Sequence, residues 1–226
     1  MGACGQKDKE SESPAPPSAA TEEATAAGTA SKPPAAPEEG GPRNWTVKGD
    51  AVKLHTEPSL SAEVITTFSA GKELDNLGCR QAEGRSWCDV QPLGGGPRGF
   101  VAAELLEPAV APHGAVARGE DDSALRAGKG EFDASGSIAC AMAPGQPMEQ
   151  CPFGVARAGG GYATVVVTRP DGRKRMLTFR MGEAIGADTS EADTTGPFSA
   201  TKENDLYRIK VGQERYEVFE AVVFGG

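Results

Sequence analysis

The sequence is poor in histidine and has no long apolar run. It contains two histidines, His55 and His113, and both precede residue 120. No stretch approaches the roughly 18 apolar residues of a membrane-spanning helix. Hydrolases that use a Cys/His pair, a Ser/His pair or His-ligated zinc need a histidine beside the reacting atoms. A C-terminal domain of this chain is therefore not expected to use any of these mechanisms.

A long N-terminal segment lacks aromatic residues, valine, isoleucine and leucine. It runs from Gly5 to Arg43 and consists mainly of alanine, proline, glutamate, serine and threonine. Such a composition cannot bury enough apolar surface to offset the conformational entropy that is lost on ordering. We therefore expect residues 1–43 to form a disordered linker that precedes the folded domains.

The chain also lacks an excess of basic residues. Its formal net charge is −9, and no segment of domain size is basic. Domains that bind nucleic acid need clustered lysine and arginine, so nucleic acid is not an expected partner. One basic cluster flanks a Pro-Asp-Gly turn, and we expect it to be the solvated face of a hairpin. Its members are Arg169, Arg173, Lys174, Arg175 and Arg180.

Cysteine is scarce, and its spacing is informative. Of the five cysteines, Cys79 and Cys88 form one closely spaced pair, Cys140 and Cys151 form another, and Cys4 stands alone. Two local disulfides with one remaining thiol are the simplest arrangement. Structural disulfides persist in oxidising compartments. The pairs therefore predict an exported protein with one disulfide in each of two folded segments.

The remaining cysteine lies in a recognisable context. Met1-Gly2-Ala3-Cys4 resembles the end of a bacterial lipobox, in which small residues precede the cysteine that receives the lipid. The resemblance implies a signal peptide upstream of Met1 and a lipid on Cys4. It also implies a periplasmic protein that this lipid anchors to the outer membrane. The alternative is an ordinary free thiol near a flexible terminus.

Residues 44–108 contain short β-like segments separated by glycine and proline. Five or six such strands in about 65 residues predict a small barrel. The predicted strands are Trp45–Val47, Ala51–Leu54, Val64–Phe68, Glu73–Cys79, Ser86–Val90 and Gly99–Ala102.

Several motifs in this segment resemble the bacterial SH3 (SH3b) family. Val52-Lys53-Leu54-His55-Thr56-Glu57-Pro58-Ser59 is similar to the family signature LNVRSGPS. Ser86–Val90 is similar to the tryptophan-bearing strand of the family, and Gly99-Phe100-Val101 to its closing GWV. Lys53 and His55 stand where the signature has asparagine and arginine. The resemblance implies an SH3-like barrel.

The resemblance also implies a ligand groove, in which family members bind peptide or glycan. It would lie between the His55–Glu57 loop and the Ser86–Val90 strand. The candidate ligand-binding residues are His55, Glu57, Trp87 and Phe100. For Trp87 and Phe100 the alternative is packing in the core of a small barrel. The expected partner is peptidoglycan, or a protein or peptide of the envelope.

The remainder of the chain predicts a linker over residues 109–119 and a second β-rich domain over residues 120–226. One or two helical turns are expected at Glu120–Arg126, and strands elsewhere: Ala163–Thr168, Lys174–Arg180, Leu206–Val211, Arg215–Val218 and Ala221–Phe224. This region resembles an uncharacterised domain that accompanies SH3b modules in proteobacterial envelope proteins. The matching stretches are Gly136–Cys140, Gly145–Met148, Val165–Arg173 and Val211–Gly226.

The whole chain is therefore predicted to be all-β, with an SH3-like barrel and a second β-rich domain after a disordered tail. The expected function is that of a non-catalytic envelope lipoprotein that binds or scaffolds peptidoglycan or an envelope protein. One alternative is an inhibitor or regulator of an envelope hydrolase that acts through the C-terminal domain. Another is a hydrolase of unrecognised type. No catalytic residue, cofactor or metal site is expected.

Overall fold

A computed structural model describes residues 1–2, 34–188 and 196–225. Strands dominate this part of the chain and form two sheets, one of them nearly barrel-shaped, so the predicted all-β class is confirmed. The described residues from 34 onward belong to one compact unit. None of the described helices is long and apolar enough to span a membrane. The predicted lipid site, Cys4, lies outside the described residues.

The first sheet has seven strands in the order β3-β2-β6-β5-β4-β1-β7. All six strands predicted in this segment are present, and a short seventh follows a 3₁₀ turn at Ala103–Leu105. The strands are β1 Asn44–Val47, β2 Val52–His55, β3 Val64–Phe68, β4 Glu73–Ala82, β5 Arg85–Pro92, β6 Gly99–Ala102 and β7 Leu106–Pro108.

One face of the first sheet encloses a small apolar core. Its fully buried members include Val47, Leu54, Leu74 and Val90. Burying a side chain of this size contributes about 1.5–3 kcal/mol. The disulfide Cys79–Cys88 joins directly paired residues of β4 and β5 at the edge of this core, as predicted. It adds a covalent link to a domain whose core is small.

The second sheet has eight antiparallel strands in the order β12-β11-β10-β9-β8-β15-β14-β13. Helix α1, Ser123–Lys129, packs on β9 and β10, and the predicted disulfide Cys140–Cys151 joins β8 to β9. The strands are β8 Ala134–Ala141, β9 Glu149–Gly159, β10 Tyr162–Thr168, β11 Lys174–Arg180, β12 Glu183–Ala187, β13 Phe198–Glu203, β14 Leu206–Val211 and β15 Glu214–Phe219.

The last predicted strand is wrong. Its residues belong to a short helix, α2, Glu220–Phe224, although Val-Val-Phe favours a strand. The helical turn buries Val223 in the core of the second sheet, where it is 1% exposed. Arg157 Nε donates to Val222 O at 2.8 Å and so satisfies one free carbonyl of this helix. Tertiary packing therefore overrides the local preference.

Residues 34–43 have a defined structure, although their composition placed them in the disordered tail. They include a 3₁₀ turn at Pro37–Glu39. The side-chain amide of Asn76 donates to Ala35 O at 3.1 Å and to Pro42 O at 2.7 Å. Hydrogen bonds to backbone carbonyls hold this segment to β4. Amino-acid composition does not predict hydrogen bonds of this kind, so nothing in the sequence indicated this structure.

The two sheets contact each other around Arg43, a buried residue. Its guanidinium lies 4.7 Å from the ring centre of Tyr162 and donates to Gly119 O at 2.7 Å and Ala158 O at 3.0 Å. Buried alanines of the segment predicted as a linker, including Ala117, pack in the same contact. The composition of residues 109–119 gave no reason to expect such packing.

The prediction of a solvated basic hairpin is wrong for two of its members. Arg169 and Arg175 are 4% and 1% exposed. Arg169 Nη1 donates to Glu214 Oε1 at 2.7 Å, and Arg175 Nε donates to Glu214 Oε2 at 2.9 Å. The two arginines are buried because they share a carboxylate on β15, distant in the sequence, and Arg169 Nε also lies 3.6 Å from Asp171 Oδ1.

Candidate ligand-binding cleft

Three of the predicted ligand-binding residues lie on the face of the first sheet that is opposite its core. His55 on β2 pairs directly with Phe100 on β6, and Phe100 pairs with Asp89 on β5. Trp87 lies two residues before Asp89 and therefore shares its face. Neighbours in the chain that point into the core are Leu54, Cys88 and Val101. The sheet thus brings His55, Trp87 and Phe100 to one surface.

His55 and Trp87 pack against each other beneath the loop that follows β2. Their ring centres are 5.5 Å apart in an edge-to-face arrangement. His55 Nδ1 donates to Ala62 O at 3.2 Å, which holds this loop over the rings. Trp87 is 1% exposed, yet it is not part of the apolar core of the sheet. Its burial therefore results from the loop and from the residues around His55.

A cleft of about 240 Å³ opens above these two rings. His55 and Trp87 are buried and form its deepest part. Leu60 and Leu105 line it as well and remain 62% and 38% exposed, so they lie at the rim. Exposed leucines beside a concave, mostly apolar surface are characteristic of a ligand site. The cleft lies between the loop after β2 and strand β5, where the family resemblance implied a groove.

Three charged residues also line the cleft, and two of them have partners. Arg85 Nη1 lies 3.2 Å from Glu104 Oε1. Asp50 Oδ1 accepts a hydrogen bond from a backbone N–H at 3.2 Å. Lys53 is exposed and has no ion-pair partner among the residues that the structure describes. The rim therefore carries one ammonium group that is available to a ligand.

The other two predicted ligand residues do not line the cleft. Glu57 is exposed in the loop outside it. Phe100 is half-buried, and the guanidinium of Arg80 lies 4.6 Å from its ring centre. Sequence reasoning missed Leu60, Leu105 and Arg85. Leu60 could have been found, because an apolar residue in the otherwise polar loop Pro58-Ser59-Leu60-Ser61 has no core to enter.

A histidine that precedes the second β-rich segment packs against the second sheet. His113 lies in the predicted linker, but its Nε2 is 3.5 Å from Glu220 Oε1, and its ring packs on Phe224 at 4.1 Å. The lack of histidine in residues 120–226 therefore does not exclude histidine-dependent chemistry at this end of the sheet. Glu220 is also paired with Lys202.

A second cavity, of about 250 Å³, lies where β12 and β13, the two end strands of the second sheet, approach each other. Glu183, Lys202 and Tyr207 line it. The hydroxyl of Tyr207 donates to Gly182 O at 2.6 Å and links β14 to the start of β12. Within the described ranges, no three potential metal ligands converge here or elsewhere.

Comparison with known families agrees with the motifs. A family model described as Bacterial SH3 domain matches residues 50–107. No curated protein and no solved structure shows significant similarity to the chain. The family match includes every residue that lines the cleft, from Asp50 to Leu105. Residues 50–107 are therefore a bacterial SH3 domain, and the candidate cleft is part of it.

Proposed function

We propose that this chain is a non-catalytic binding module of the bacterial envelope. Its SH3 domain would bind peptidoglycan, or an extended peptide of an envelope protein, in the cleft above His55 and Trp87. The observation that supports this proposal is the open apolar rim, where Leu60 is 62% exposed beside a cavity. An isolated exposed leucine needs no explanation, but one at the mouth of a cleft gains free energy when a ligand covers it.

Binding to purified peptidoglycan sacculi tests the proposal. The substitution Leu60→Ser removes an apolar contact at the rim and should leave the fold intact. Covering a leucine contributes about 1.5–3 kcal/mol, so we expect co-sedimentation to weaken by about tenfold or more. Leu125→Ser is the matched control, because Leu125 is 63% exposed on α1 and far from the cleft in the chain.

The same samples test the absence of catalysis. We expect intact sacculi after incubation, without released soluble fragments. Release of such fragments by the wild-type protein would contradict a non-catalytic role. Equal binding by the wild type, Leu60→Ser and Leu125→Ser would exclude the cleft as the peptidoglycan site and favour an envelope protein as partner.

We also propose that Cys4 carries a lipid and anchors the protein to the outer membrane, facing the periplasm. The lipobox resemblance of Met1-Gly2-Ala3-Cys4 supports this proposal. The two disulfides are consistent with it, because they favour an oxidising compartment. When a leader peptide is supplied, palmitate should label the wild type and not Cys4→Ser. Equal labelling of both proteins would contradict the proposal.

A further inference from the structure

We propose that the cleft selects a peptide carboxylate, and that Lys53 is the residue that binds it. The inference rests on the proposed binding function of the cleft and names the chemistry of its ligand. Among the charged residues of the cleft, Arg85 is paired with Glu104, and Asp50 accepts a backbone hydrogen bond. Lys53 is the cationic lining residue that has no ion-pair partner within the described part of the chain.

The position of Lys53 directs its ammonium group toward the ligand. Lys53 and His55 are two residues apart on β2, so both side chains point to the outer face of the sheet. His55 forms the deep end of the cleft, and Lys53 is exposed at its rim. An apolar group that enters between Leu60 and Leu105 would therefore place a nearby carboxylate within reach of Lys53.

The aromatic residues favour a peptide over a sugar. Sugar rings are commonly held against open aromatic faces, but Trp87 is 1% exposed and packs against the edge of His55. The ring of Phe100 lies outside the cleft, beneath the guanidinium of Arg80. The remaining surface consists of small and aliphatic side chains, with the charged groups of Asp50, Arg85 and Lys53 among them. These contacts suit small apolar side chains next to a carboxylate.

The size and charge of the cleft further restrict the class of ligand that it can bind. A volume of about 240 Å³ lies below the range of about 300–1,000 Å³ that is usual for drug-sized ligands. It therefore holds a short segment and not a long chain. A single ammonium group on a flexible stem acts as a point charge. Phosphate is usually bound by several donors or by an arginine fork, and the guanidinium of Arg85 is already engaged.

Titration with two short peptides tests the inference. The probes are N-acetyl-trialanine as the free acid and as the amide, which differ in one charge. An exposed ion pair contributes up to about 1 kcal/mol, so we expect the wild type to prefer the acid by about threefold to fivefold. High salt should reduce this preference.

Three variants test whether Lys53 is the residue that binds the carboxylate. Lys53→Gln should lose the preference, Lys53→Arg should keep it, and Lys72→Gln should also keep it. Lys72 is an exposed lysine of the same domain that does not line the cleft. Unchanged melting temperatures would show that all three variants remain folded. An equal affinity of the wild type for acid and amide would overturn the inference, as would a Lys53→Gln variant that still prefers the acid.

Two further outcomes separate this inference from the proposed function. If sacculi bind through Leu60 but neither peptide binds, the carboxylate inference fails while the binding function stands. If inorganic phosphate displaces the acid peptide and acetate at the same concentration does not, the cleft is a phosphate site and the inference is overturned. Failure of both sacculi and peptides to bind would overturn the carboxylate inference and also contradict peptidoglycan as the ligand of the proposed function.

Discussion

Tyr162 on β10 links the second sheet to Asn44 on β1 of the first sheet. Its hydroxyl donates to Asn44 Oδ1, and the side-chain amide of Asn44 donates to Asp75 Oδ1 at 3.0 Å. Burial and, to a lesser extent, the nearby charge of Asp75 raise the pKa of Tyr162 to about 12, so the hydroxyl stays protonated at neutral pH. The contact therefore depends on a short chain of buried polar groups. Such chains are costly when one member is removed.

Tyr162→Phe should destabilise the protein without removing apolar packing. The substitution leaves Asn44 Oδ1 buried without its donor, which costs about 1–3 kcal/mol. Urea unfolding at neutral pH measures the loss. Tyr207→Phe, which removes a hydrogen bond inside the second sheet only, is the comparison. If Tyr162→Phe matched the wild type, the hydroxyl would have no part in holding the sheets together.

Glu214 is a buried carboxylate that accepts hydrogen bonds from two arginines. Burial by itself raises the pKa of Glu214, but hydrogen bonds from Arg175, Tyr216 and Arg169 outweigh this effect and lower it to about 2. A carboxyl group whose pKa falls on folding stabilises the folded state above its ordinary pKa, near 4.5. That contribution is lost as the pH falls from about 4.5 toward 2.

Glu214→Gln should therefore destabilise the protein strongly at pH 7 and less at low pH. Removal of one partner from a buried ion cluster costs about 3–5 kcal/mol. Urea unfolding at pH 7 and pH 3 would measure this. We expect the difference between wild type and variant to shrink at pH 3, because Glu214 takes up a proton in the unfolded chain at that pH while the folded carboxylate stays largely ionised. A constant difference would mean that the charge of Glu214 does not contribute.

Each disulfide joins two neighbouring strands. Cys79–Cys88 links β4 to β5 and spans 9 positions, whereas Cys140–Cys151 links β8 to β9 and spans 11. In the chain-entropy account, loops of this length stabilise the fold by about 2–3 kcal/mol each. The same stabilisation is a larger share of the stability of the SH3 domain, because that domain has the smaller core.

Replacing either pair by alanine should lower the free energy of unfolding by about 2–3 kcal/mol. We expect Cys79→Ala/Cys88→Ala to impair binding to sacculi as well, because β5 carries Trp87 at the bottom of the cleft. Cys140→Ala/Cys151→Ala should leave binding intact and serves as the matched control. Peptide mapping without reductant should find both bridges. A bridge between the two sheets would contradict the pairing.

The segment before β1, residues 34–43, belongs to the folded unit. Arg43 is 6% exposed; its guanidinium donates to Gly119 O and Ala158 O, and its own carbonyl accepts a hydrogen bond from the backbone N–H of Asn76 on β4. Asn76 in turn donates to the carbonyls of Ala35 and Pro42. The stability of residues 44–225 therefore depends on residues that precede them.

Two truncations separate this segment from the rest of the N-terminal region. A chain that starts at residue 34 should unfold at the same temperature as the full protein. A chain that starts at Asn44 loses the hydrogen bonds of Arg43. A hydrogen bond to a charged group contributes about 1.5–3 kcal/mol to stability. We expect its melting temperature, measured by calorimetry, to fall clearly. Equal melting temperatures for both truncations would show that residues 34–43 do not stabilise the fold.

The sequence alone determined the fold class, the strands of the SH3 domain and both disulfides. Alternating apolar residues and glycine or proline turns act over a few residues, so they can be read locally. The motifs that carry the family resemblance are also short and continuous, as in Ser86–Val90. His55 and Trp87, two of the four predicted ligand residues, belong to such short motifs, and both line the cleft.

The tertiary structure alone decided which distant residues meet. The helix at Glu220–Phe224, the burial of Arg175 and the place of His113 each depend on a partner far away in the sequence. Leu60 and Lys53 become rim residues only when the loop after β2 folds over Trp87. Local patterns carry no information on these contacts, because packing and charge neutralisation act between groups that only the completed fold brings together.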